Sequence, residues 1–264
     1  MTTRPITQPR RMSRLPSPPR GWTRTFVRDW SLTLAVVGVY FLLRGQAGGD
    51  IQLALRVSDI LIDIEKATFL FWEPTIQQVS LQAHWVQEFA NGVYAYMHFP
   101  VLLAVGLWLW FKRRPEFIHM RNVMFISMAF GLVFYYLLPA APPRLLAANG
   151  YDLGFVDTVF GGNTSINYAQ PAYLLNEYAA IPSFHFGWIA LASAVMWANT
   201  TSRVVRAASV ALSVVMTWAI VASANHFFID MALGGLVILV SWHVARRVER
   251  RRATVVRVAS STAG

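Results

Sequence analysis

Apolar residues in this chain gather into six runs, over 29–43, 92–111, 122–138, 182–198, 207–223 and 226–245. Each approaches the ~20 residues that a helix needs to span a bilayer. The breaks between them carry helix stops and charge. Lys112-Arg-Arg-Pro115 follows the second run, Pro139-Ala-Ala-Pro-Pro-Arg144 the third, and a tight turn at Ala224-Asn225 precedes the sixth. The pattern predicts an all-α polytopic membrane protein, a bundle of six transmembrane helices. Gly234-Gly235 in the sixth allows close packing against a neighbour. Residues 48–90 read differently. Asp50, Asp59, Asp63, Glu65, Glu73 and Glu88 are scattered there among apolar residues, and Val57, Ile60, Leu61 and Ile64 recur at helical spacing. That predicts an amphipathic segment lying on the membrane interface. The loop 145–180 is rich in Gly, Asn and Tyr, and the chain carries no internal repeat.

Composition sharpens this picture. Of 264 residues 55% are hydrophobic and 14% charged, with a mean hydropathy of +0.42; no ordinary soluble domain has that balance. The net charge of +10 would suit a nucleic-acid partner, but the basic residues flank apolar runs instead of lining a polar face. Positive-inside topology accounts for them. With the N-terminus in the cytoplasm and six crossings, 19 of the 23 Lys and Arg fall on the cytoplasmic side, while ten of the 13 acids fall on the other. Residues 1–20 hold five prolines and five arginines, a composition that buries no core, and no signal-peptide cleavage site follows the first apolar run. The division expected is a disordered basic cytoplasmic tail over 1–25, the first span with the extracytoplasmic amphipathic segment over 26–91, a catalytic membrane domain over 92–246, and a basic cytoplasmic tail over 247–264. A bacterial plasma membrane is the expected location. Cysteine is absent, so disulfides and cysteine–metal sites are excluded.

Chemistry concentrates at two helix starts. The stretch 179–188 reads Ala-Ala-Ile-Pro-Ser-Phe-His-Phe-Gly-Trp; Pro182 suits a first helical turn, which puts His185 about one turn inside. Asn225-His226-Phe-Phe-Ile-Asp230 opens the sixth run, and on a helix His226 and Asp230 are i,i+4 neighbours. In the six-span topology both starts lie on the outer face, with Arg144 at the same depth. Two helix N-termini favour an anion, and an arginine fork suits phosphate. A carboxylate-oriented histidine can attack phosphorus, and a second, protonated histidine can supply the leaving group's proton.

At these residues the chain resembles the type-2 phosphatidic acid phosphatase (PAP2) superfamily, and within it the inositolphosphotransferase branch that includes the inositol phosphorylceramide synthases. Pro182-Ser-Phe-His185 stands for the family's second motif, with Asn176-Glu-Tyr-Ala-Ala leading in. His226-Phe-Phe-Ile-Asp230 stands for the third, and the Pro-rich run ending at Arg144 for the first. The resemblance implies His226 as nucleophile, Asp230 as its orienter, His185 as general acid and Arg144 as phosphate ligand, with no metal or other cofactor. The chain departs from the superfamily's usual pattern where Leu137, Leu145, Ala219 and Ile220 replace a Lys, a Pro and a Ser-Arg pair, so two phosphate-binding cations are missing. This favours the transferase-like branch: transfer of a phospho-headgroup, inositol phosphate among the candidates, from a phospholipid to an alcohol. Hydrolysis by a lipid phosphate phosphatase is the rival within the superfamily. A bis-histidine haem protein is the rival from another class, and a transporter lacks the expected repeats.

Other residues carry two readings. His98, in Asn91-x-x-Tyr94-x-x-x-His98, either contacts the headgroup or is a packed, hydrogen-bonded core histidine; Asn91, Tyr94, Ser183 and Asn225 are further substrate-binding candidates. His84, His119 and His243 read as interface or tail residues. Tyr168, Tyr173 and Tyr178 suit either an entrance rim or an ordinary interface, and Trp108-Leu-Trp110 reads as an interfacial belt. The loop 145–180 and the segment 48–90 are apolar enough to fold over the site as a lid.

Overall fold

The computed structural model describes residues 21–47, 49–161, 164 and 171–261; the basic tail over 1–20 and Tyr168 lie outside them. Nine α-helices are described: α1 (Trp22–Gln46), α2 (Ile51–Ala67), α3 (Glu73–Leu81), α4 (His84–Gly92), α5 (His98–Lys112), α6 (Arg114–Leu137), α7 (Phe184–Ala198), α8 (Arg203–Ala222) and α9 (Phe228–Ser261). A π-helical turn, Val93–Met97, joins α4 to α5 in one rod, His84–Lys112. That rod, α1, α6, α8 and Phe228–Val255 of α9 are long and apolar enough to cross a membrane, and α7 is a shorter apolar helix. The architecture is a polytopic membrane helix bundle.

α7 is central. It packs on α5, α6, α8 and α9, and Phe184, Trp188, Leu191, Ala192 and Val195 are all buried. A helix apolar on every side is one that others surround. Glycine permits the closest approach: a Cβ at Gly234 of α9 would collide with the backbone of Ser183, and one at Gly187 of α7 would lie 3.1 Å from the Gly234 carbonyl oxygen. This is the close packing expected of Gly234.

The second span begins at His84, well before residue 92, because α4 and the π turn continue α5 backwards. α9 runs past 245 to Ser261, its Arg, Glu, Ala and Val residues adding no helix breaker. α2 is amphipathic, N-capped by Asp50 on the Gln52 and Leu53 N–H groups. Its inward face is Ala54, Leu55, Ser58, Leu61, Ile62 and Glu65, whereas Ile60 and Ile64 are exposed. The stripe is thus rotated from the one read in the sequence, because α2 does more than rest on an interface: it packs onto Ala141, Leu146, Ile181 and Phe227. Trp110 is not a belt residue. It is buried and donates its Nε1–H to Asp29 Oδ2 at 3.2 Å, beside the Arg114–Asp29 ion pair at 2.7 Å. His119 is likewise buried, paired with Glu249 Oε2 at 2.8 Å across the α6–α9 contact.

Candidate active site

α8 ends in a turn that sets the geometry. The N–H of Asn225 bonds to Ile220 O at 2.9 Å and that of Ala224 to Val221 O at 2.8 Å, the paired bonds of a Schellman motif. Ala224 takes the left-handed conformation, φ 51°, where glycine is usual. His226 follows in this turn and precedes α9, which starts at Phe228. His226 and Asp230 therefore do not share a helix face. Asp230 reaches back as an N3 residue: its Oδ2 accepts the Phe227 N–H at 2.9 Å and lies 3.3 Å from His226 Nδ1. The pairing expected from the spacing is present, achieved through cap geometry.

α7 starts at Phe184, not at Pro182, since Ser183 serves as N-cap and accepts the Phe186 N–H at 3.4 Å. His185 is consequently the second helical residue. The Ser183 N–H donates to Asp230 O at 3.0 Å, which ties the start of α7 to the start of α9. The His185 and His226 rings lie 5.7 Å apart, centroid to centroid. From the opposite wall, the π turn and the start of α5 present Tyr94, 4.6 Å from the His185 ring, and His98, edge-on to it at 4.9 Å. Such π insertions often occur at functional sites. His98 is buried, and neither ring nitrogen has a hydrogen-bond partner among the described residues. The packed, hydrogen-bonded alternative does not hold for it.

Arg144 lies on the same cavity. Its backbone N–H bonds to Ala224 O at 2.8 Å; its Nε donates to Asn225 Oδ1 at 3.0 Å and its Nη1 to Asp157 Oδ2 at 2.9 Å. Phe160 sits under the guanidinium at 4.4 Å. Asn225 is thus the residue that aims Arg144. A second arginine, Arg44 at the end of α1, lines the cavity too, bonded to the Leu174 and Asn176 carbonyls at 3.5 Å each. Sequence reasoning placed Arg44 on the correct end of the bundle without joining it to the site; no local motif marks it. Asn176 of the lead-in ties loop to helix, donating to Ala47 O at 3.0 Å and Arg44 O at 3.2 Å.

The polar cavity so enclosed has a volume of about 80 Å³. Tyr94, His98, Arg144, His185, Asn225 and His226 reach its wall. Ser183 and Asn91 do not: Ser183 caps α7, and Asn91 donates to Thr158 O at 2.8 Å, pinning the loop around 158 to α4. Phe99 and Trp188 are shared with an apolar groove of about 420 Å³ between α1, α5 and α6, lined by Leu34, Leu103 and Met124 among others. Of the tyrosines considered for the rim, Tyr173 is exposed and Tyr178 half-buried.

One expectation is corrected. The N-terminus of α9 does not face the cavity with open N–H groups, because the protein's own carboxylates take them. Asp230 accepts from Phe227, Glu73 Oε1 from the Phe228 N–H at 2.9 Å, and Glu65 Oε1 from the Ile229 N–H at 2.8 Å. Burial, with the adjoining carboxyl of Glu73, pushes Glu65 up to about 9; burial also raises Glu73. Among the described residues no cluster of His, Asp or Glu could hold a metal ion.

Over 175 residues the chain is 29% identical to a phosphoinositol dihydroceramide synthase of Bacteroides thetaiotaomicron, a match covering 60% of this chain. The chain spans 56% of the length of that relative, and no solved structure matches it. The sequence model of the PAP2 superfamily matches residues 59–244, from within α2 to α9, and so takes in every side chain of the cavity except Arg44 and Phe41. This chain belongs to the PAP2 superfamily.

Proposed function

We propose that the protein is an integral membrane phosphotransferase that moves a phospho-headgroup from a phospholipid to a lipid alcohol through a phosphohistidine. The observation that carries this reading is the convergence of His226, its Asp230 partner, His185 and Arg144 on one small polar cavity that adjoins an apolar groove. With Nδ1–H turned to Asp230, His226 offers its Nε2 lone pair to phosphorus. The N–P bond forms as the P–O bond to the diacylglycerol oxygen breaks, and His185 gives that oxygen its proton. In the second half the acceptor hydroxyl gives its proton to His185 and attacks phosphorus, freeing His226. Arg144 and Arg44 meet the charge on the non-bridging oxygens, supplying from α1 one of the cations missing from the motifs.

Acyl chains fit the groove beside Phe99 and Trp188, so both donor and acceptor reach the site sideways from the bilayer. His98, whose ring nitrogens lack a protein partner, bonds a headgroup hydroxyl, since a buried polar group left unpaired is costly. The 155–161 stretch, held by Asp157 and Thr158, shields the phosphohistidine from water. The name of the Bacteroides relative supports an inositol-phosphate headgroup and a dihydroceramide-like acceptor. In this reading the positive-inside bias puts the active site on the extracytoplasmic face, with both termini inside.

The test is to incubate purified protein with vesicles containing inositol-labelled phosphatidylinositol and dihydroceramide. Label should appear in a new lipid, and a His98→Phe variant should raise KM for this donor. Rapid release of inorganic phosphate from phosphatidic acid, unaffected by added lipid alcohol, would establish a phosphatase instead.

A further inference from the structure

Two buried acids remain without a role in this chemistry. Glu65 and Glu73, 1% and 0% exposed, come from different helices and meet at the N-terminus of α9. Each spends Oε1 on one N–H of that helix, and each Oε2 is buried without a hydrogen-bond partner among the described residues. No ion pair to either is formed among the described residues, and the third carboxylate nearby, Asp230, is occupied by His226 and Phe227. Two unpaired like charges in such a place would be prohibitive. Burial and the adjoining Glu73 carboxyl raise Glu65, and burial raises Glu73, which keeps a proton on the pair.

We infer that Glu65 and Glu73 are positioning residues: by accepting the Ile229 and Phe228 N–H groups they clamp the first turn of α9 and so hold the His226 imidazole in line with the phosphorus. The geometry explains why the clamp acts on His226. The turn 224–226 is fixed on its α8 side by the bonds to Ile220 and Val221. On its other side it is fixed by Asp230 and the two glutamates, which between them take the first N–H groups of α9. Without those acceptors the turn could pivot about Ala224, and the His226–Asp230 contact, already 3.3 Å, would lengthen. The negative charge left on the pair, together with Asp230, also neutralises the positive end of α9, leaving phosphate recognition to the arginines.

The inference rests on His226 as the nucleophile, and paired substitutions separate it from a packing role. Glu65→Gln keeps the reach and the acceptor oxygen without the charge, and suits the neutral partner. Glu65→Asp keeps the acid but is one methylene short. We expect Glu65→Gln to retain kcat within about threefold, and Glu65→Asp to lose about 10- to 100-fold in kcat with KM unchanged, the scale of an orphaned buried donor. Glu73→Asp should follow Glu65→Asp. Comparable kcat in Glu65→Asp and Glu65→Gln, or a loss confined to KM, would overturn the clamp. Both substitutions are small, and monodispersity in detergent checks folding. His226→Ala in the same assay isolates the underlying reading: if it turns over normally the nucleophile is wrong, whereas a dead His226→Ala beside a normal Glu65→Asp removes the clamp alone.

Discussion

His185 and His226 are chemically alike and differ in what surrounds them. His226 has a carboxylate on Nδ1; among the described residues His185 has no carboxylate partner and makes ring contacts with Tyr94, His98 and His226. In the proposed mechanism that asymmetry is the reason for giving attack to His226 and proton delivery to His185. A general acid matters in proportion to the leaving group's need for a proton, so His185→Ala should cost about 10²–10⁴-fold with a lipid donor. With a nitrophenyl phosphodiester, whose leaving group needs no proton, the loss should be much smaller. Equal losses in steady-state rates with both substrates would reverse the assignment. At this scale the sequence was a good guide wherever a motif repeated a known spacing. No motif joined Arg44, Glu65 and Glu73 to the site, because they come from α1, α2 and α3, far along the chain from the histidines.

Helices that are not membrane spans decide how the site is built. α2 and α3 look from sequence like acidic, half-apolar filler. Yet Glu65 lies on the buried stripe of α2 at the helical spacing 54, 58, 61, 65, so an acid on an apolar face was a visible signal. Its consequence is measurable. Glu65 holds its proton up to about 9 in the folded protein, against an ordinary value of 4.5, because it is buried and faces Glu73; Asp230 is the other acid toward it. The folded state therefore binds this proton more tightly than the unfolded one. Its contribution to stability is full below about pH 4.5 and is lost as pH rises through about 9. Thermal unfolding in detergent should show a midpoint that falls across that window in the wild type and falls less in Glu65→Gln. An identical slope in both would remove the proton from Glu65. The π turn ahead of His98 was beyond sequence reading, since one extra residue in a helix leaves no compositional mark.

Across the whole molecule, the site sits at one end of the bundle, where α1, α6 and α8 end and α7 and α9 begin. The charge distribution, read by the positive-inside rule, is the basis for the proposal that this end lies outside the cell. Because the chain has no cysteine, orientation can be read directly. Asn149→Cys, exposed near the site, should react with an impermeant thiol reagent in intact cells, and Thr201→Cys, exposed at the α7–α8 connection at the other end, should react only after permeabilisation. The opposite pattern would place the active site in the cytoplasm and change the substrates that reach it.

What the sequence determined by itself is the part governed by local and one-dimensional physics. Apolar run length made the spans, polar breaks ended them, and the short motifs Pro182-Ser-Phe-His185 and His226-Phe-Phe-Ile-Asp230 marked the candidate site. Span boundaries slipped where helix continued through charged residues, as at α9, because arginine and glutamate stop a membrane span without stopping a helix. Only the tertiary structure decided which helix faces meet. It turned α2 inward by packing it on Phe227, drew Trp110 and His119 into the core by giving their polar atoms partners, and brought Arg44 to Arg144. It also filled the α9 N-terminus with carboxylates from α2 and α3, because backbone N–H groups left unpaired in a buried place must find an acceptor from wherever the fold supplies one.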